Sequence, residues 1–154
     1  MTDIPMRVVW QRGEQPFVDG KYSRVHQWEF DGGTTVPASS SPHVVPIPMS
    51  DESCVDPEEA FVASLSSCHM LWFLAIAGRK GFVVDRYIDS CHGTMEKNED
   101  GKLAITEVFL FPEVHWGDSA PTPEQATEMH ELAHHECFIA NSVKTKIHVA
   151  HKSP

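Results

Sequence analysis

The strongest constraint on this chain lies between Asp56 and Gly81. There Ala60, Phe61, Val62, Leu65, Met70, Leu71, Trp72, Phe73, Leu74 and Ile76 leave hardly any polar face. Asp56-Pro57-Glu58-Glu59 opens a helix: Asp56 caps, Pro57 suits the first helical position and Glu59 closes a capping box. The helix runs to about Arg79 or Lys80, with Gly81 as terminator. A soluble helix apolar almost all round is buried on all sides. In a protein of 154 residues, that implies a central helix wrapped by sheet and completed by a second subunit. Its most apolar stretch, Met70 to Gly78, is too short to span a bilayer.

The flanking segments read mostly as strands. Val8–Trp10 and Tyr22–Phe30 are joined by a loop carrying Gly13, Pro16 and Gly20. Tyr22, Arg24, His26, Trp28 and Phe30 share one parity and hence one face. Val36–Val55, rich in Pro and Ser, reads as an extended surface loop of a length often tied to function. Val83–Glu96 and Leu103–Trp116 form a hairpin around Asn98-Glu99-Asp100-Gly101. Thr122-Pro123-Glu124-Gln125 opens a second helix with an apolar stripe of Ala126, Met129, Leu132, Ala133 and Cys137. Val143–Val149 alternates as a last strand. The expectation is one domain over residues 1–154, α+β, with antiparallel pairing.

Composition narrows the function. A formal net charge of −10 argues against phosphate-backbone binding, so nucleic acid is not an expected partner. The start, MTDIPMRVVWQRG, lacks the pattern of a signal peptide. With no membrane segment either, a cytoplasmic protein is expected. Cys54, Cys68, Cys91 and Cys137 form neither a CxxC pair nor a zinc-finger pattern. In a reducing cytosol they are free or catalytic thiols.

Two segments carry chemistry. DPEEAFVASLSSCHM resembles the helix signature of the OsmC/Ohr family of thiol peroxidases, in which a cysteine follows an N-P-E motif. Glu58 and Cys68 keep the family spacing, with Asp56 in place of the usual Asn. Ala133-His134-His135-Glu136-Cys137-Phe138-Ile139-Ala140-Asn141-Ser142 resembles the family's A-H-x-x-C-P-x-S-N segment; Phe138 replaces the Pro and Ala140 the Ser. The resemblance covers nearly the whole chain. It implies the OsmC-like fold, with antiparallel sheets around a buried central helix in an intertwined homodimer. It also implies a peroxidatic Cys68 and a resolving Cys137.

A free thiol with a pKa near 8.5 is only about 3% ionised at neutral pH. Cys68 lies roughly 16 Å from the helix start, too far for help from the dipole. A cation is needed, and in the family it is an Arg held by the Glu. Arg24 is favoured and Arg12 is the alternative. Ten helical residues put Glu58 roughly 15 Å along the axis from Cys68. Two such helices packed antiparallel would bring each Glu58 to Cys68 of the partner subunit. The expected reaction is reduction of an organic hydroperoxide through a Cys68 sulfenic acid and a Cys68–Cys137 disulfide. A dithiol, such as a lipoylated protein, would then restore the thiols. The alternative is a non-catalytic stress protein, or one binding an apolar ligand on the same fold. His130 and His134 have zinc-compatible spacing, but no HExxH or third ligand accompanies them. His69 reads as a structural residue or a pocket wall. No metal and no other cofactor is expected.

Overall fold

A computed structural model describes residues 1–151. It is α+β, with two helices and mainly antiparallel sheets. Two compact units, Met1–Ala60 and Phe61–Pro154, are taken in turn.

In the first unit, β1 (Met6–Val9), β2 (His26–Phe30) and β3 (Thr35–Ala38) form an antiparallel sheet in that order. The strand expected from Tyr22 begins only at His26. The Arg24 guanidinium donates to the Gly20 and Tyr22 carbonyls and lies 3.7 Å over the Tyr22 ring. Tyr22 also stacks on Phe17, with ring centroids 4.6 Å apart. These contacts fold residues 20–25 into a compact loop and deny them a ladder. The expected Val36–Val55 loop loses its first residues to β3, which a turn at Asp31-Gly32-Gly33 brings back onto β2. Gly33 takes φ +86° there, a value that suits glycine. The rest of the loop closes on the same strand: Val55 bridges Ala38, and Asp51 N–H donates to the buried Ser39 Oγ at 3.0 Å.

Helix α1 (Pro57–Arg79) begins at the end of the first unit and continues in the second. Its expected cap is present: Glu59 N–H donates to Asp56 Oδ1 at 2.8 Å, and Asp56 N–H to Glu59 Oε2 at 3.4 Å. At the other end Phe82 N–H reaches Ala77 O and Gly81 N–H reaches Gly78 O, with Gly81 at φ +85°. This double closure is the Schellman motif, whose left-handed residue strongly favours glycine.

The second unit continues with β4 (Val84–Asp89), β5 (His92–Lys97), β6 (Leu103–Leu110), β7 (Pro112–Trp116), α2 (Pro123–Glu136) and β8 (Lys146–Val149). The expected long hairpin is split into two sheets, β4–β7 and β5–β6–β8. Two features cut it. Phe111 N–H donates to the Asp89 carboxylate at 2.7 Å, and Pro112 has no N–H to offer a ladder. Cys91, expected within a strand, therefore lies in the gap between β4 and β5. β8 also departs from expectation: it starts at Lys146, not Val143, and pairs with β6 in parallel.

The single chain buries one stripe of α1, comprising Leu65, His69, Phe73, Ile76 and Ala77. Leu71, on another face, is 60% exposed. Burial on all sides is thus not reached within one chain. Phe73, Ile76 and Ala77 pack with Met129 and Ala133 of α2, and Leu65 packs with Val108 and Leu110 of β6. By length and composition α1 as a whole could cross a membrane, which measuring only Met70–Gly78 did not anticipate. Its buried stripe nevertheless carries an imidazole and packs against α2 and β6, as a core helix does.

Gly81→Ala forces an alanine into the left-handed region. It should lower stability by about 1–2 kcal/mol, read as a reduced urea midpoint with an unchanged slope.

Candidate active site

The site is built where α1 meets the end of α2. Helix α2 starts with a capping box between Thr122 and Gln125, as expected, and ends on Cys137 as its C-cap. Its inner stripe is Ala126, Met129, His130 and Ala133, and Cys137 beyond it is buried as well. On α1, Cys68 is half-buried, not buried as its place mid-helix suggested. The fold brings the two thiols close enough to influence one another, and both cysteines are free. Burial, and then the neighbouring Cys68 thiol, push the Cys137 thiol up to about 11.

The turn after α2 holds Cys137 in place. Ala140 N–H donates to Cys137 Sγ at 3.4 Å, and Asn141 Nδ2 donates to the carbonyls of His135 and Cys137 at 2.8 and 3.0 Å. A single 3-10 turn, Ala140–Ser142, follows. Beside the thiols stand two rings, Trp72 one turn beyond Cys68 and Phe138 next to Cys137. They meet edge to face at 5.4 Å and 82°.

The other expected residues fall as follows. Glu58 is half-buried, and its Oε2 is buried without a hydrogen-bond partner. Arg24 is engaged by its own loop, as described above, and Arg12 donates to Gln15 O at 2.8 Å on the surface. Burial, and then the Asp51 carboxylate, raise the Cys54 thiol, which suits no nucleophile. Cys91 packs with Leu65, Val108 and Leu110 as a small apolar side chain.

A sequence model described as OsmC-like protein matches residues 50–152. The chain belongs to the OsmC-like family. The solved structure of an OsmC-like protein of unknown function from Vibrio cholerae is 51% identical, with a TM-score of 0.96 over 99% of this chain and 100% of that one. Two more distant structures share the fold. The organic hydroperoxide resistance protein of Elizabethkingia anophelis is 17% identical, with TM-score 0.70 over 98% of this chain and 94% of that one. The protein OhrB of Bacillus subtilis, also named for organic hydroperoxide resistance, is 17% identical, with TM-score 0.68 over 98% of each chain. Comparison with curated proteins gives no match. Glu58, Cys68 and Cys137 lie within the family match, whereas Arg12 and Arg24 precede it.

This OsmC-like chain also carries a histidine pair that the sequence reading did not join. His69 on α1 and His130 on α2 are 1% and 3% exposed. Their rings are coplanar to within 1°, and Nε2 of His69 lies 3.0 Å from Nδ1 of His130, so one imidazole donates and the other accepts. His130 is also stacked between Phe73 at 4.1 Å and His151 at 4.4 Å. The available signal was positional. His69 falls on the stripe Leu65–Phe73, and His130 on the stripe Met129–Ala133, so both had to face inward. Among the described residues, no group of three or more His, Cys, Asp or Glu is arranged to hold a metal ion.

Burial is the main cause that lowers both histidines, from 6.5 to about 4 for His69 and about 3 for His130. The neighbouring imidazoles lower them further: His134 and His151 for His69, and His69 and His151 for His130. Such groups bind protons more readily in the unfolded chain. Their contribution to stability is therefore whole above pH 6.5 and is lost as pH falls toward 4. Urea unfolding should show a loss of about 4 kcal/mol between pH 7 and pH 5, about 2 kcal/mol from each histidine. In His69→Leu/His130→Leu most of that slope should vanish; a slope equal to the wild type's would assign it to other groups.

Proposed function

We propose that this OsmC-like protein is a cysteine-based peroxidase that reduces organic hydroperoxides. The observation that carries this reading is the meeting of Cys68 and Cys137, whose positions match the family's two cysteine motifs. The Cys68 thiolate attacks the outer peroxide oxygen and the O–O bond breaks. The alkoxide leaves and takes a proton as the alcohol, and Cys68 becomes a sulfenic acid. The Cys137 sulfur, giving up its proton, then attacks the sulfenic sulfur. Water leaves and a Cys68–Cys137 disulfide forms. A dithiol reduces it by exchange, ending as its own disulfide and restoring both thiols. What supports this order is that Cys137 is buried and its thiol is pushed up to about 11, which suits the second step better than the first.

The same reading includes a homodimer. The uncovered apolar side of α1 around Leu71 and the unpartnered Glu58 Oε2 both call for further protein. A second α1 packed antiparallel would cover the one and bring Glu58 toward Cys68 of the partner subunit. The arginine that completes the thiolate's surroundings is assigned to Arg24, with Arg12 as its alternative.

Dithiothreitol-dependent consumption of cumene hydroperoxide tests the activity. Cys68→Ser should lose at least about a thousandfold. Treated with peroxide in the absence of any thiol reductant, Cys137→Ser should form one sulfenic acid per chain and stop there, visible by dimedone labelling and mass spectrometry. Equal rates for wild type and Cys68→Ser would remove the enzyme reading and leave a binding protein. Solution scattering should return the mass of a dimer; a fully active monomer would refute the shared site.

A further inference from the structure

We propose that the His69–His130 hydrogen bond locks the register of α1 on α2, so that Cys137 captures the Cys68 sulfenic acid before a second hydroperoxide oxidises it further. Both histidines are then positioning residues, a role that rests on the peroxidase reading above.

Two routes compete for the sulfenic acid. In the productive one the Cys137 sulfur attacks the Cys68 sulfur, a disulfide forms and water leaves. In the other the sulfenic sulfur attacks the outer oxygen of a second organic hydroperoxide. The O–O bond breaks, the alcohol leaves, and Cys68 ends as a sulfinic acid that a dithiol does not restore. The first route is intramolecular, so its advantage depends on how well the two sulfurs are held. A misplacement of about 1 Å costs such a step roughly a hundredfold.

The apolar contacts of Phe73, Ile76 and Ala77 with Met129 and Ala133 hold α1 and α2 together but oppose sliding only weakly. The imidazoles oppose it strongly. Nε2 of His69 lies 3.0 Å from Nδ1 of His130, and the rings are coplanar to within 1°. Phe73 and His151 stack on His130 at 4.1 and 4.4 Å, which keeps its ring from turning to follow a moving partner. The other nitrogen of His69, Nδ1, is buried without a hydrogen-bond partner. A bare lone pair is tolerated in such a place better than an N–H. The proton of His69 therefore sits on Nε2, and His69 donates to His130. Both rings are enclosed by their own chain, so the lock does not depend on a second subunit. Cys68 directly precedes His69 on α1, and Cys137 caps α2 two turns beyond His130. A slip of α1 by one residue would carry Cys68 about 1.5 Å along the axis and turn it by about 100°.

Three variants test the lock. His69→Gln sets an amide N–H where Nε2 stands, and His69→Met has the same length without a donor. His69→Leu/His130→Leu removes both partners and leaves no imidazole unpaired. Melting temperatures identify the folded variants. With substoichiometric cumene hydroperoxide and no reductant, peroxide loss reports the first step, and thiol alkylation with intact mass reports the disulfide. In the methionine and double leucine variants the disulfide should form about a hundredfold more slowly, with the first step changed by less than about threefold. Sulfinic Cys68 should then accumulate under excess hydroperoxide. His69→Gln should close its disulfide within about tenfold of the wild-type rate. Closure at the wild-type rate in a folded variant without the bond overturns the inference, as does equal slowing of both steps. So does a folded His69→Gln that closes about a hundredfold more slowly than wild type. A wild-type protein that consumes no hydroperoxide overturns the peroxidase reading itself, a result distinct from a peroxidase whose disulfide closes without the lock.

Discussion

The buried hydrogen bond between His69 and His130 is the contact on which the site's geometry depends. Apolar helix faces specify proximity well and register poorly, because dispersion and burial are not directional. A bond of 3.0 Å between two coplanar rings is directional. It also cannot be given up cheaply in a place where both imidazoles are cut off from water. Once it fixes how α1 lies on α2, the neighbouring positions follow. Cys68 precedes His69, Cys137 lies two turns beyond His130, and their thiols come close. One turn further along α1, Trp72 meets Phe138.

This arrangement separates two demands that conflict in a single cysteine. A group that must wait for a sulfenic acid benefits from cover and a fixed position, whereas a group that meets a peroxide needs access. Cys137 has the first set of properties, being buried, capped by Ala140 N–H and shifted toward the neutral thiol. Cys68 is half-buried and so has a route to solution. The chemistry proposed for the pair follows this asymmetry.

Much of the framework was legible in the sequence because it is written in local signals. The Asp56–Glu59 box, the Gly81 stop and the Thr122–Gln125 box gave the helices their ends, and each acts through bonds made within a few residues. What was not legible depends on distant partners. The break at Phe111 comes from Asp89, 22 residues earlier, whose carboxylate takes the strand's N–H. The parallel pairing of β8 is set by where α2 delivers the chain, which alternation along Val143–Val149 does not encode. Alternation also misread Tyr22–Val25, where a guanidinium supplies the carbonyls' partners that a ladder would have supplied. At the site, the meeting of Cys68 and Cys137 was expected from family resemblance alone. His130 was weighed with His134 as a metal pair because spacing on one helix is visible in a sequence and a partner on another helix is not.

The departures from the family motifs separate into two kinds once their surroundings are known. Asp56, in the place of Asn, accepts the same capping bond from Glu59 N–H that an Asn side-chain oxygen would accept. Ala140, in the place of Ser, serves Cys137 through its backbone N–H, for which the side chain is immaterial. Both replacements leave the local chemistry intact. Phe138 differs. The turn that seats Cys137 is closed by Ser142 and Asn141 through backbone carbonyls, so nothing in that turn requires an aromatic ring at position 138. A large apolar side chain held mostly in water stabilises nothing by itself. Among the described residues, its ring contact is with Trp72. The bonds that close the turn thus give no reason for an aromatic ring at this position.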